Sequence, residues 1–356
     1  MRDFLVIGGG IAGLSAAARL SGLGSVTLLE RETATGYHTS GRSAAMFEET
    51  YGLPSTVALN RASRGYLEQA GVLSPRGLML VAGPDRAEAF ARDLISMEIE
   101  RITLDEALAK CPILDPRAVT MAGYHPEALD IDTDRLMQGF AAQIRATGGR
   151  IVTRAEVTAI TRTAQGWVVS AGEAHEARNL INAAGAWADQ IAQLAGLPPL
   201  GLTPLRRSMA RIAAPAGLDP ARWPMLFGPG EDWYMKPDAG ALIVSPAEED
   251  PSHPHDAWPD DMVLAEGLAR YEAHVTAPVT RLLASWAGLR TFAPDRQLVI
   301  GRAPQDAAFW WNAGQGGYGF QTAPAASALL ADLVGGRQSA LDVATVAALD
   351  PARSLT

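Results

Sequence analysis

Two groups of residues in this chain have types and spacings suited to chemistry. The first is Gly8, Gly10 and Gly13, which follow the apolar run Phe4-Leu5-Val6-Ile7 and precede a second apolar run ending in Glu30. Glycines at this spacing let a backbone turn tightly and approach a pyrophosphate, and let the following helix pack closely on its strand. The phosphates then meet free N–H groups around Ile11 and Ala12, where a helix dipole favours negative charge. A carboxylate at the end of the second strand accepts both hydroxyls of a ribose and selects one without a 2'-phosphate. The second group is Gly314, Gly316, Gly317 and Gly319, interleaved with Gln315 and Tyr318 and followed by Phe320 and Gln321. Four glycines in six residues let a backbone run close against a flat ligand. The helix that follows directs its N-terminus there. Reduced flavin carries negative charge that a helix N-terminus stabilises, whereas a nicotinamide becomes neutral on accepting hydride. The pair of motifs therefore points to FAD.

The elements that must position these groups are legible around them. The spacing predicts a strand ending at Ile7, a helix from about Ile11 to Leu20 and a strand Val26 to Leu29. Tyr37 to Ala45 reads as a polar, small-residue loop. Pro54 opens a helix ending near Gly71, and Leu78 to Val81 reads as a strand. Asp132-Thr133 caps a helix that stops at Gly148-Gly149. Arg150 to Arg154, Val157 to Thr161, Trp167 to Ser170 and Asn179 to Ala183 read as strands, with a turn at Gly166. Gly185 opens a helix Trp187 to Ala195. Trp233 to Lys236 and Ala241 to Ser245 form an antiparallel pair around the turn Pro237-Asp238-Ala239-Gly240. Trp286 to Arg290 and Leu298 to Ile300 are strands, and Thr322 to Val334 is an alanine-rich helix. The expected fold is α/β with an α+β substrate part. A Rossmann-like FAD-binding domain is assembled from segments 1–80, 140–203 and 288–356, and an antiparallel β-sheet substrate domain from 81–139 and 204–287.

Composition narrows the function classes. With 356 residues, 48% hydrophobic and 19% charged, the chain suits a folded body with a full core. A formal charge of -9 argues against a nucleic-acid partner, which calls for a basic surface. Anionic substrates would need local arginines. The single cysteine, Cys111, excludes a disulfide framework and a cysteine-based metal site, and no metal is expected. No apolar run reaches the ~18 residues of a transmembrane helix, and the N-terminus lacks signal-peptide features. The reading is a soluble, cytoplasmic protein.

Gly41-Arg42-Ser43-Ala44-Ala45, Asn182-Ala183-Ala184-Gly185-Ala186-Trp187 and the two glycine motifs together resemble the D-amino-acid oxidase and glycine/sarcosine oxidase superfamily of FAD enzymes over nearly the whole chain. Gly36-Tyr37-His38, Asp130-Ile131-Asp132-Thr133-Asp134, Lys236-Pro237-Asp238-Ala239-Gly240 and Trp286-Ala287-Gly288-Leu289-Arg290 resemble the bacterial D-arginine dehydrogenases more closely. The resemblance implies non-covalent FAD and oxidation of a D-amino acid to an imino acid by hydride transfer from Cα to flavin N5. It implies cofactor contacts at Arg31, His38, Ser40, Gly41, Arg42, Ser43, Ala44, Ala45, Val157, Ala183, Ala184, Gly185, Trp187 and Gly301, besides the two glycine motifs. The electron acceptor stays open among a quinone, a dye-like carrier and O2.

Such chemistry requires a carboxylate clamp, and an arginine fork with two parallel N–H groups fits a planar carboxylate. Arg290, after an apolar strand, is the first candidate, with a structural salt bridge as its alternative reading. The resemblance adds Arg207 as a second contact, Tyr234 as a carboxylate hydrogen-bond donor, Tyr51 in an entry loop, and the carbonyl of Gly317 for the substrate amine. By pattern alone Arg207 could be an exposed strand charge and Tyr234 a packing residue. Two departures from the D-arginine dehydrogenases stand out. Leu78 replaces the glutamate that pairs with the substrate guanidinium, and Met46 replaces an active-site histidine. Both predict a less polar cavity that favours apolar over cationic D-amino acids. An O2-using glycine or sarcosine oxidase, a 2-hydroxy acid dehydrogenase and a non-catalytic FAD-binding subunit are the alternatives.

Overall fold

The computed structural model describes residues 1–355. Strand Arg2–Ile7, buried from Phe4 onward, lies parallel between Val26–Leu29 and Glu173–Asn182. Parallel strands covered on both faces carry continuous apolar runs, which is why Phe4 to Ile7 and Val26 to Leu29 do not alternate. Arg150–Val152 extends the sheet beyond Val26–Leu29, and Gly166–Ala171 and Ala159–Thr163 extend it antiparallel on the other side. Phe309–Ala313 pairs parallel with the end of Glu173–Asn182 and carries Val299–Arg302, completing eight strands. Helices Ile11–Leu20, Pro54–Gln69, Thr133–Ala146 and Gly319–Val334 share one hydrophobic cluster with Phe4, Val6 and Leu28 on one face. Trp167, Phe309 and Trp311 fill the other.

The second sheet has nine strands. Thr203–Ala213 and Leu282–Phe292 form its long antiparallel pair. Ala241–Ser245, Tyr234–Asp238, Met225–Phe227, Leu78–Ala82, Met121–His125 and Glu100–Ile102 follow in order. The step from Met225–Phe227 to Leu78–Ala82 is parallel. A small third sheet joins Met46–Phe47, Leu129–Ile131 and Leu73–Pro75. Leu78–Ala82 and Leu282–Phe292 pair within the second sheet over their length, so boundaries at 80/81 and 287/288 fall inside strands.

Several expected elements shift for local reasons. The hairpin turn is only Ala239-Gly240, with φ of 44° and 77°. Positive φ at both central residues makes a tight turn that matches strand twist. Pro237 and Asp238 are therefore in the strand, against the expected four-residue turn. The last helix starts at Gly319 rather than Thr322, with Tyr318 at its N-cap. Gly185–Trp187 forms a 3-10 turn before helix Ala188–Leu194. The strand expected at Val157 begins at Ala159. Four helices lack any sequence expectation: Ala87–Ser96, Leu104–Lys110, Asp261–Glu272 and Val343–Leu349.

Candidate active site

A cavity of about 310 Å³ runs from the first strand–helix turn to the junction of the two large sheets. Its floor is the first glycine motif. Gly8 adopts φ of 108°, and a Cβ there would lie 2.8 Å from the carbonyl carbon of Ala183. A Cβ at Gly13 would overlap the carbonyl oxygen of Gly8, so this glycine sits behind the cavity as a packing requirement. Gly10 is extended and precedes the helix without a side-chain cap. The Ile11 N–H donates to Ser40 Oγ at 3.0 Å, while those of Ala12 and Gly13 have no acceptor among the described residues. Buried Glu30 accepts from the N–H groups of Gly9 at 2.7 Å and Glu32 at 2.8 Å. These bonds fix one orientation of its carboxylate and leave lone pairs for ribose hydroxyls.

One wall of the cavity consists of Arg31, His38, Val157, Ala183, Ala184, Gly185 and Trp187. Trp187 packs against the His38 ring at 4.7 Å and under the Arg31 guanidinium at 5.1 Å. Loop 36–45, which carries His38, contributes further lining residues. Thr39 Oγ1 donates to Leu289 O at 2.9 Å and accepts from Leu289 N at 3.2 Å, tying the loop to strand Leu282–Phe292. Arg42 lines the cavity, but it donates to the carbonyls of Ala257 at 3.0 Å and Ala287 at 2.9 Å and pairs with Asp256. Its guanidinium is thereby committed to holding the loop. Ser43 and Ala45 line the cavity. Gly41 packs against Gly36.

At the far end stand Gly316, Gly317, Gly319, Phe320 and Gln321. Gly316, at φ 52°, donates to Thr291 O at 2.9 Å and has no room for a Cβ beside Phe292. Six members of the expected cofactor set lie outside this cavity: Gly13, Gly41 and Ala44, and also Gly301, Gly314 and Tyr318. Gly301 sits mid-strand against Pro351, where a Cβ would be 2.8 Å from the proline ring. Gly314 makes the turn out of Phe309–Ala313 at φ 67°. Tyr318 caps the last helix with its ring against Tyr51 and Phe292. The helix's earlier start turns that side chain away from the cofactor groove.

A second cavity of about 110 Å³ continues from the first and shares Ser43, Ala45, Met46, Arg207, Arg290, Gly317 and Gln321 with it. It brings together all seven residues singled out for substrate: Arg290, Arg207, Tyr234, Tyr51, Gly317, Met46 and Leu78. Ala44, expected at the cofactor, lines this cavity instead. The Arg290 guanidinium makes no hydrogen bond or ion pair with any described residue, and a Cβ at Gly317 would lie 2.9 Å from its Nη1. Burial opposes its charge, yet Tyr51, Tyr234, Glu231 and Glu249 outweigh this and hold the guanidinium above the ordinary arginine value. Arg207 is 3% exposed and donates to Glu248 O at 3.0 Å and Glu249 Oε1 at 3.3 Å, leaving Nη1 buried without a partner. Burial, and then the like charge of Arg290, push it below the usual value. The buried Tyr234 hydroxyl is also unpartnered. Tyr51 Oη donates to Glu231 Oε2 at 2.8 Å, and burial followed by Glu231 raises its pKa well above the ordinary phenol.

Glu48 and Glu231 line the same cavity, alongside Met97, Met225, Phe227 and Trp233. None of these has a sequence signal at the level of motif spacing. The nearest thing to one is the glycine-flanked loop of Glu231, a non-glycine residue at φ 54°. Cys111 lines neither cavity; it is buried in the core of the second sheet, where burial pushes its thiol up to about 12. Among the described residues there is no group of three or more His, Cys, Asp or Glu that could hold a metal ion. No helix among them is long and apolar enough to cross a membrane.

Residues 3–333 match the model of the family described as FAD dependent oxidoreductase, and the chain belongs to that family. FAD is its cofactor, and the glycine turn, the free helix N–H groups and Glu30 fit the dinucleotide half. The chain is 30% identical to L-2-hydroxyglutarate dehydrogenase of Escherichia coli over 234 residues, covering 60% of this chain and 54% of that protein. It thus spans about half the length of that relative. It is 28% identical to glycine oxidase of Pseudomonas aeruginosa over 370 residues, 96% of this chain and 97% of that protein. Among solved structures, glycine oxidase from Geobacillus kaustophilus superposes with a TM-score of 0.83 at 24% identity, covering 97% of both chains. L-alpha-glycerophosphate oxidase from Mycoplasma pneumoniae with FAD bound gives 0.81 at 19% identity, over 95% of this chain and 96% of that one. These two establish a shared fold.

Proposed function

We propose that this oxidoreductase oxidises a D-amino acid to its imino acid, which hydrolyses to a 2-oxo acid and ammonia, and that it acts as a dehydrogenase. The observation that carries this reading is the unpartnered guanidinium of Arg290 beside two further orphan donors, Arg207 Nη1 and the Tyr234 hydroxyl. A buried charge left without a partner costs about 3–5 kcal/mol, and a planar substrate carboxylate relieves it through charge-assisted hydrogen bonds. The cofactor-binding body is placed around the first sheet and the substrate-binding body around the second, meeting at Arg290 and Gly317. FAD, held by the residues of the larger cavity without a covalent link, supplies the hydride acceptor. The chain's own groups orient the substrate. Arg290, Arg207 and Tyr234 hold the carboxylate, the Gly317 carbonyl takes the amine, and Tyr51, fastened by Glu231, covers the entry. Orientation of this kind converts a bimolecular encounter into an effectively unimolecular step; the substrate reacts as the neutral amine, having lost its ammonium proton to water, so no dedicated base is assigned.

The side-chain walls, Leu78, Met46, Met97, Met225, Phe227 and Trp233, favour an apolar stem. Two guanidinium groups already face the cavity, so a cationic side chain adds like charge. Wild-type protein is expected to give higher kcat/KM with D-leucine or D-phenylalanine than with D-arginine. Leu78→Glu should move that ratio toward D-arginine by roughly tenfold or more, as a charge pair replaces an apolar contact. An unchanged ratio in Leu78→Glu, or a wild-type preference for D-arginine, contradicts the reading.

A second reading, oxidation of a 2-hydroxy acid, draws support from the relative named L-2-hydroxyglutarate dehydrogenase, because the same carboxylate clamp serves both substrates. Product analysis separates them: ammonia and a 2-oxo acid in equal amounts from D-amino acids support the amine reading, and turnover of hydroxy acids alone supports the other. Turnover with a dye but without peroxide formation in air supports the dehydrogenase assignment over an oxidase.

A further inference from the structure

The substitution at Leu78 removes one acid from the side-chain cavity, but the fold brings another in from a different element. Glu48 follows strand Met46–Phe47, is 5% exposed, and lines the cavity together with Leu78. Its main chain is pinned: the N–H donates to Gln321 Oε1 at 3.1 Å, and the carbonyl accepts from buried Asn60 Nδ2 at 3.3 Å. Oε1 is occupied, accepting from Thr50 N at 3.3 Å and Thr50 Oγ1 at 3.0 Å. Oε2 is buried and has no hydrogen-bond partner, and the imidazole of His125 stands 3.5 Å from it. A carboxyl kept only for packing would have both oxygens satisfied, since buried polar groups are almost always paired.

Resting on the amino-acid reading above, we infer that Glu48 is a specificity-determining residue, whose free oxygen accepts a hydrogen bond from a neutral N–H or O–H donor at the far end of the substrate side chain. Such a substrate has an apolar stem that fills the Leu78, Met225 and Phe227 walls and ends in an amide, hydroxyl or phenol. A neutral donor suits the site better than a cation. His125 already lies against the carboxyl, and Arg207 and Arg290 line the same cavity. Burial raises the Glu48 pKa, with His125 as the main opposing influence, which further weakens any bias toward cations.

Pairs of similar size, one member of which carries a neutral donor, test this: D-threonine with D-valine, D-asparagine with D-leucine, D-glutamine with D-methionine, and D-tyrosine with D-phenylalanine. The ratio of kcat/KM within each pair is measured in wild type, Glu48→Gln and Glu48→Leu, all loaded with FAD. The donor member should be preferred in at least one pair. That preference should fall about tenfold in Glu48→Leu, the worth of one buried hydrogen bond, and survive in part in Glu48→Gln. The apolar partner is the internal reference, so a general loss of activity does not imitate the result. Turnover of D-amino acids with the same ratios in wild type and Glu48→Leu overturns this inference and leaves the parent reading standing. Absence of turnover with every D-amino acid, with 2-hydroxy acids oxidised instead, overturns both.

Discussion

Arg290→Ala is expected to lower kcat/KM for the best amino acid by at least about 100-fold, because the proposed carboxylate clamp is worth ~3 kcal/mol or more. The physical reason is the state of the guanidinium in the folded chain. Arg290 has no carboxylate partner of its own, and it faces a cavity where the neighbouring donors, Arg207 Nη1 and Tyr234 Oη, are also unsatisfied. Every one of these groups improves when a carboxylate arrives. Arg290→Lys keeps the charge but loses the two parallel donors, so it should recover only a small part of the loss. The effect should fall on both KM and kcat, since the same contact binds the substrate and aims it. Flavin content should stay at the wild-type level in both variants. Arg207→Ala is a poorer probe, because Arg207 also anchors the Glu248 carbonyl and Glu249. A kcat/KM within threefold of wild type in Arg290→Ala would remove the carboxylate clamp from the account.

The second large effect concerns the cofactor and separates two glycines of one motif. Gly13→Ala places a Cβ on the carbonyl oxygen of Gly8, with the Ala183 side chain 3.5 Å away. Helix Ile11–Leu20 must then move off its strand, which costs about 1–3 kcal/mol as overpacking and displaces the N–H groups that face the phosphates. The variant should purify colourless with a lowered Tm. Gly10→Ala meets only Ser40 Oγ, at 3.1 Å, and Gly10 has an ordinary extended φ of -76°. It should fold with little change in Tm and yet retain less FAD, because its methyl occupies the approach of the pyrophosphate. Flavin-to-protein ratio and Tm, measured on both, check the distinction. Full flavin content in Gly13→Ala would contradict it.

How far the sequence carries this picture depends on how local each determinant is. Arg2 to Glu30 is a contiguous strand, turn, helix and strand, so the spacing of its glycines alone specifies the geometry. Arg290 and Arg207 are brought together by the antiparallel pairing of two eleven-residue strands, and only the family resemblance reached across that gap. Nothing near Glu48 in sequence marks it; Asn60 and Gln321 fix its position from two different helices. Glu231 is set by a loop anchored through Arg86, which donates to Pro229 O and pairs with Asp232. The expectation of a less polar cavity rests on Leu78 and Met46 alone and does not take in these two carboxyls from elsewhere.

Some unread elements did carry signals. Thr103 and Glu106 form a capping box at Leu104–Lys110, and Asp260 caps Asp261–Glu272 through the N–H groups of Met262 and Val263. The first is the four-residue capping-box pattern and the second an Asp N-cap, and both are signals of a helix start. Gly301 and Gly314 show the converse. Each is a glycine for backbone reasons, at φ of 149° and 67°, and neither reaches the cofactor groove. A glycine near a glycine-rich motif need not belong to the ligand site.

The most direct test of the central claim is to mix the FAD-loaded protein, without oxygen, with D-amino acids, L-amino acids and 2-hydroxy acids in turn, and to follow the visible flavin band. The account predicts bleaching by D-amino acids, fastest with apolar or neutral side chains, and none by hydroxy acids. Bleaching by hydroxy acids or L-amino acids with none by D-amino acids would contradict it.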